Sequence, residues 1–512
     1  MAPSRTNAAF IQLFFGNIGI VVAAISGIFM VPFYLGAVSQ RLFGLWIATG
    51  GIIGWLSLLD LGIAAVVGQR IANALALKDK KAIGSYYLSG IILQAIVAVF
   101  TVSLGFILSP LIPLAFSVSE DERTTLTGCL QISGVSLGLT VLGNGQKSIA
   151  DAVLRPFIAS LMIPVQSVFS IVVTISLLYF DYGLFSIPIG TLVGAFVYFF
   201  VTIISTLILL QGQGVVWFFS LSVLLEVLKI SPAMFFGKMS GHIANHMDSA
   251  LVAYAIAPEI AVTYNMTKSA ATIARLALDK ITGAIYASYA HKLAECRFEN
   301  AIGITVNILS LHTGIAIVML TAYVAFNHSF IQIYLGENLF AGFIITCLFA
   351  LATWCSATNS LLTTLLTATG NFAQSSFFIG AECLARIPLM IAFTYMFGSL
   401  GIPIATILTG GVMIFFCLWG LANKLGAAKA EMVESIFSTD RILRMCASLC
   451  VSIGLGSLLI ADSTPKFIFA VLISVTTSLV AVFAWNDILR TSLKSLNSNV
   501  KFGYRLPGKR RF

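Results

Sequence analysis

Apolar runs of about 20 residues recur along the whole chain, and few charges interrupt them. As a helix rising ~1.5 Å per residue, each run can cross a hydrocarbon core of ~30 Å. Of the 512 residues, 58% are hydrophobic and 10% charged, a balance outside that of soluble globular domains. Lipid offers no partner to a backbone N–H or C=O, so such runs must satisfy their own hydrogen bonds as helices. The chain therefore reads as an all-α polytopic membrane protein with about 14 transmembrane helices. They fall near 11–35, 43–66, 84–109, 125–146, 157–179, 184–210, 229–256, 260–287, 301–326, 339–366, 376–397, 401–422, 442–461 and 467–486.

The connections alternate in charge. Arg70, Lys78, Lys80, Lys81, Lys147, Arg155, Lys292, Arg297, Lys424, Lys429, Arg441 and Arg444 fall on one side, with Arg5 and the basic tail from Arg490 to Arg511. The other side receives Arg41, Arg123 and Lys466 beside the acidic Glu120, Asp121, Glu122, Asp181, Glu259, Glu337 and Asp462. This positive-inside asymmetry makes both termini cytoplasmic for an even number of spans. The net charge of +9 is thereby topogenic or lipid-facing, and no nucleic-acid role is expected. Residues 1–16 carry one Arg and no cleavage pattern, so no removable leader is expected. The loops leave no room for a nucleotide-binding module or a soluble catalytic domain, and no cofactor is expected. Most of the eight cysteines lie inside apolar runs without CxxC spacing, which argues against disulfides and metal clusters.

Charge is concentrated in 234–289, two spans joined at Ala257-Pro258-Glu259. This stretch holds Lys238, Asp248, Lys268, Arg275, Asp279 and Lys280, with His242 and His246. A charge at the bilayer centre costs roughly 2.5–3.5 kcal/mol on insertion scales, so such groups face a polar cavity or one another. On an ideal helix Arg275 and Asp279 each lie about 20° from Lys268, on opposite sides, so the three share a stripe. Lys238, Lys268 and Arg275 are the candidate residues of a cationic cavity for an anionic group. His242, His246 and Asp279 are candidate supports, although Asp279 reads first as an i,i+4 partner of Arg275. His242 and His246 have a metal-compatible spacing, but no third ligand is evident and no metal site is assigned. Asp60, Asp248 and Glu382 are candidate ion-coupling carboxylates. For Glu382 the simpler alternative is an intrahelical bridge to Arg386.

An internal echo appears on shifting the chain by 219 residues, which brings Asp60 onto Asp279 and Gly44 onto Thr263. It divides the sequence into a lobe of six spans over 1–212, a second over 213–425, two further spans over 426–486 and a basic tail over 487–512. Secondary transporters are commonly built from such repeats.

The opening segment, Pro32-Phe33-Tyr34-Leu35-Gly36, Phe43-Gly44-Leu45-Trp46, Leu58-Leu59-Asp60-Leu61-Gly62 and Arg70-Ile71-Ala72, resembles that of Wzx-type oligosaccharide flippases. Asp248 and Val262-Thr263-Tyr264-Asn265 leading to Lys268 resemble the start of that family's second lobe. The family is the polysaccharide-transporter branch of the MOP exporter superfamily. The resemblance implies two six-helix lobes around a central cavity plus two C-terminal helices, and alternating access. It also implies a cargo of undecaprenyl-diphosphate-linked oligosaccharide, of O-antigen or capsule type, crossing the bacterial inner membrane. No binding residue is carried over from the family. A diphosphate matches a cationic cavity, Arg as a planar fork and Lys as a point charge. Tyr254, Tyr264, Asn245 and Asn265 are candidates for sugar contacts. A polysaccharide polymerase and export machinery are the implied protein partners, besides membrane lipids.

Rival readings are a MATE-like multidrug or organic-cation antiporter, a peptidoglycan lipid II flippase, and a membrane-embedded polysaccharide polymerase. An organic-cation antiporter calls for an acidic cavity, and the cationic bias of the central helix pair argues against it. A polymerase calls for a sizeable catalytic outer loop, which the sequence lacks. The chain is expected not to be an enzyme.

Overall fold

The computed structural model describes residues 29–425 apart from 61, 154–156, 213 and 296–300, with isolated residues before 29; the side chains of 230–246 are also outside the description. The last two expected spans and the basic tail lie outside the described residues, as does most of the first span.

Every regular element among the described residues is helical. In order they are α1 (Val31–Ala37), α2 (Gln40–Gly54), α3 (Ile63–Ala76), α4 (Lys80–Leu108), α5 (Glu120–Ala152), α6 (Phe157–Tyr179) and α7 (Ser186–Gln211). Then come α8 (Leu221–Ala255), α9 (Pro258–Glu295), α10 (Ala301–Leu335), α11 (Phe343–Ala368), α12 (Phe372–Phe397) and α13 (Gly401–Leu425). The protein is an all-helical, multi-pass membrane protein: seven described segments are long and apolar enough to cross a bilayer, the last, Gln374–Leu425, combining α12 and α13. On α6, Val168, Phe169 and Val172 are exposed, a placement that lipid favours and water would not.

Local chemistry sets the helix starts. Ser39 caps α2 by accepting from the Leu42 N–H, and Asp79 caps α4 by accepting from Lys81 and Ala82. A reciprocal Ser119–Glu122 capping box opens α5, and Glu120, Asp121 and Glu122 in its first turn suit the positive end of the helix dipole. Pro258 occupies the first turn of α9, where its missing N–H costs nothing.

The repeat is visible in the element order. Adding 219 to the starts of α2, α4, α5, α6 and α7 gives 259, 299, 339, 376 and 405; the corresponding starts of α9 to α13 are Pro258, Ala301, Phe343, Phe372 and Gly401. One element departs from it. The single span expected over 43–66 is instead α2, a 3-10 turn over Trp55–Asp60, and α3 running on to Ala76. Gly62 stands at φ 75°, a left-handed conformation that a side chain would strain, and it starts α3 in a new direction. Arg70 thus lies within a helix rather than in a loop, where it pairs with Glu226 at 2.6 Å. The equivalent helix, α9, has no such break.

The chain forms two compact units, Met1–Asn265 and Met266–Phe512. This grouping places α8 with the first-half helices, whereas the lobe boundary at 212/213 follows the repeat and stands as our proposal. In the first unit Ile63, Val67, Ile71, Tyr87, Leu93, Val141, Ile149 and Leu210 form a core shared by α3, α4, α5 and α7. There α4 and α5 touch backbone to backbone: a β-carbon on Gly134 would lie 3.3 Å from the Gly105 Cα. In the second unit Leu309, Leu361, Leu365, Phe378, Met413, Ile414 and Leu418 form the core of α10 to α13. Asn359 ties α11 to α13 by donating to the Gly410 carbonyl at 3.2 Å.

Candidate functional site

Hydrogen bonds at both ends hold α9 antiparallel to α10. The Thr267 carbonyl accepts from the Tyr323 hydroxyl at 2.8 Å and from the Asn327 amide at 3.1 Å. Toward the other end the hydroxyls of Tyr289 and Thr305 are 2.7 Å apart. Between these anchors α9 presents its charged stripe. The Arg275 guanidinium donates to the Asp279 carboxylate, Nε to Oδ2, at 2.9 Å, with the two side chains 25% and 36% exposed. Lys268 is half-buried on the same stripe, and Lys280, off it, is exposed.

The register that the two anchors set brings His312 of α10 level with Asp279, within electrostatic reach of both Asp279 and Arg275. Its imidazole is fully buried, and neither ring nitrogen has a hydrogen-bond partner. The second oxygen of Asp279, Oδ1, is likewise buried without one. Each such orphan costs about 1–3 kcal/mol of desolvation, so the cluster is polar capacity left unfilled inside an apolar unit. Sequence reasoning missed His312, since a lone histidine in an apolar run gives no sign of a partner on the preceding helix.

The remaining candidates are dispersed. Asp248 is buried and accepts from the Tyr264 hydroxyl at 3.4 Å. Tyr264 is fully buried, so it braces α8 against the start of α9 rather than offering a face to a sugar. Asn265 is engaged too, donating to the Ser249 hydroxyl at 2.6 Å. Tyr254 is exposed and packs edge-on against Phe116. Asp60 closes the 3-10 turn at the break between α2 and α3. Glu382 is bonded to Arg386 one turn along α12, with both side chains about nine-tenths buried. The side chains of Lys238, His242, His246 and Asn245 lie outside the described residues.

A further cluster joins the starts of α2, α5 and α9. Arg41 bonds Glu122 at 3.0 Å, approaches Glu259 at 3.5 Å and donates to the Ser117 carbonyl. Beside it a β-carbon on Gly44 would fall 2.0 Å from the Pro258 carbonyl oxygen, so only glycine admits this approach. Between α10 and α11 lies a cavity of about 190 Å³ lined by Ile317, Leu320, Val324, Ala350 and Trp354, among others. Its lining suits an apolar chain and includes none of the charged candidates. Among the described residues no group of three or more His, Cys, Asp or Glu side chains is placed to hold a metal ion.

No family model matches the chain, and no curated protein matches it significantly. Solved structures do. The lipid II flippase MurJ, in an inward closed conformation, aligns with a TM-score of 0.67 over 93% of this chain and 97% of its own, at 18% identity. A MATE family multidrug resistance transporter of the MOP superfamily aligns in its inward-facing conformation with a TM-score of 0.61, over 82% of this chain and 98% of its own, at 15% identity. An outward-facing MATE structure gives a TM-score of 0.56 over 83% and 97%, also at 15% identity. The chain shares its fold with MurJ and the MATE transporters.

Proposed function

We propose that this protein is a Wzx-type flippase. Its cargo is an undecaprenyl-diphosphate-linked oligosaccharide of the O-antigen or capsule class, moved across the bacterial inner membrane by alternating access. The observation that carries this reading is the cationic stripe of α9. Lys268 and Arg275 occupy one face of a helix in a chain that is otherwise poor in charge, and Arg275 is bonded there to Asp279. A diphosphate headgroup is an anion suited to such a stripe, and Arg275 with Lys268, joined by Lys238, would hold it. The sugar would follow the headgroup while the lipid tail stays in the bilayer. A fold shared with a lipid II flippase supports a lipid-linked cargo. The opening motif around Phe43-Gly44-Leu45-Trp46 supports the oligosaccharide branch. In this reading both termini are cytoplasmic, and the polymerase and export machinery act downstream.

The test is complementation of a strain deleted for the gene with wild type, Arg275→Ala or empty vector. Surface glycan and lipid-linked repeat units are measured. The expected result is loss of surface glycan with repeat units stranded inside, restored by wild type and not by Arg275→Ala. Normal glycan with altered dye or drug efflux would replace this reading with a MATE-like antiporter. Arrest of cell-wall synthesis would replace it with lipid II transport.

A further inference from the structure

Three polar groups meet between α9 and α10 with more hydrogen-bonding capacity than they use. Arg275 occupies one oxygen of Asp279, the other oxygen is buried and bare, and His312 is buried with both nitrogens bare. With Arg275 bound, Asp279 is neutralised, and a positive imidazole at His312 would be an uncompensated buried charge. If Arg275 is drawn to another anion, Asp279 becomes the uncompensated charge and His312 is the group placed to answer it.

We propose that His312 and Asp279 form a proton site coupled to the cargo. When the anionic headgroup engages Arg275, Asp279 exchanges its guanidinium partner for an imidazolium at His312, whose proton comes from the aqueous phase. When the headgroup leaves, Arg275 returns to Asp279 and the proton is released. The exchange links headgroup binding to proton uptake, and by reciprocity makes headgroup affinity depend on pH. Imidazole is the side chain whose ordinary titration lies in the physiological range. Among the described residues, the charged groups whose electrostatics reach His312 are Asp279 and Arg275 of α9. On its other side α11 carries no Asp, Glu, Lys, Arg or His, and its titratable groups are Cys347 and Cys355. The 3-10 turn over Glu337–Leu339 packs at the far end of α10. The proposal rests on the reading that Arg275 holds an anionic headgroup.

The experiment is calorimetric titration of the full chain in nanodiscs with undecaprenyl diphosphate, in two buffers of different ionisation enthalpy across a pH series. Wild type should take up protons on binding, with affinity falling by up to about tenfold per pH unit on the alkaline side of the imidazole titration. His312→Gln should flatten that dependence and remove the uptake, while the headgroup's own phosphate titration persists as a shared baseline. Asp279→Asn should do the same, and it supplies the readout if His312→Gln does not fold. Arg275→Ala should weaken binding at every pH. If Arg275→Ala weakens binding while His312→Gln and Asp279→Asn keep wild-type uptake, the proton site is wrong and the headgroup reading stands. Undiminished binding by Arg275→Ala would overturn both.

Discussion

The Gln40 side-chain amide donates to the main-chain carbonyl of Glu259 at 3.3 Å, and the two residues are 219 positions apart, the offset of the internal repeat. Residues at matching positions of the two halves thus meet where α2 and α9 begin. Arg41 reinforces the contact through Glu259, and Gly44 allows it through Pro258.

In the flippase reading proposed above, alternating access would separate the two helix starts once in each cycle. A disulfide between Gln40→Cys and Glu259→Cys, in a background cleared of native cysteines, should therefore arrest surface-glycan export, and a reductant should restore it. Export that continues with the bridge formed would show that α2 and α9 stay joined throughout.

Arg275→Ala and Lys268→Ala should each remove a charge-assisted contact worth ~1.5–3 kcal/mol, lowering headgroup affinity by roughly 10- to 100-fold. Arg275→Lys should retain part of it, since the ammonium keeps the charge and loses the fork. Binding of undecaprenyl diphosphate to inserted, monodisperse protein checks both. Wild-type affinity in the Ala variants would leave the stripe as a structural ladder.

The Glu382–Arg386 pair is buried on α12, and removing one partner strands a charge. Arg386→Ala should destabilise the second unit by about 3–5 kcal/mol, and the apolar double replacement Glu382→Leu with Arg386→Met should recover most of that. Thermal unfolding in detergent measures both. If Glu382 instead couples transport to an ion gradient, Glu382→Gln should abolish gradient dependence in vesicles, and an unchanged dependence would return it to a structural bridge.

At the α4–α5 crossing, Gly134→Leu would push a side chain against the Gly105 backbone. Overpacking of about 1–3 kcal/mol is expected, read as lowered thermal stability and reduced yield of monodisperse protein. Gly54 has open space where its β-carbon would be, so Gly54→Ala should be tolerated.

The helices were legible because lipid leaves an apolar run of that length little alternative. The repeat showed faintly in Asp60 and Asp279 and then clearly in where the helices begin. The break between α2 and α3 was hidden, since the hydrophobic run passes through Trp55–Asp60 without a polar interruption. Pairing within one helix, as in Arg275–Asp279 or Glu382–Arg386, follows from spacing alone. Pairing across helices does not: placing His312 beside Asp279 requires a register fixed by Thr267 and Tyr289. Tyr264 failed as a sugar contact for a related reason, because sequence shows that a tyrosine is present and not which way it is packed.

Asp60 sits at a bend and its repeat mate Asp279 on an unbroken rod, so duplication has left one jointed arm and one stiff one. Two arms of unequal stiffness do not deform as mirror images under the same load. In the flippase reading the jointed arm would absorb a stroke by bending at Gly62, and the stiff arm would transmit it along its length to whatever its charges hold.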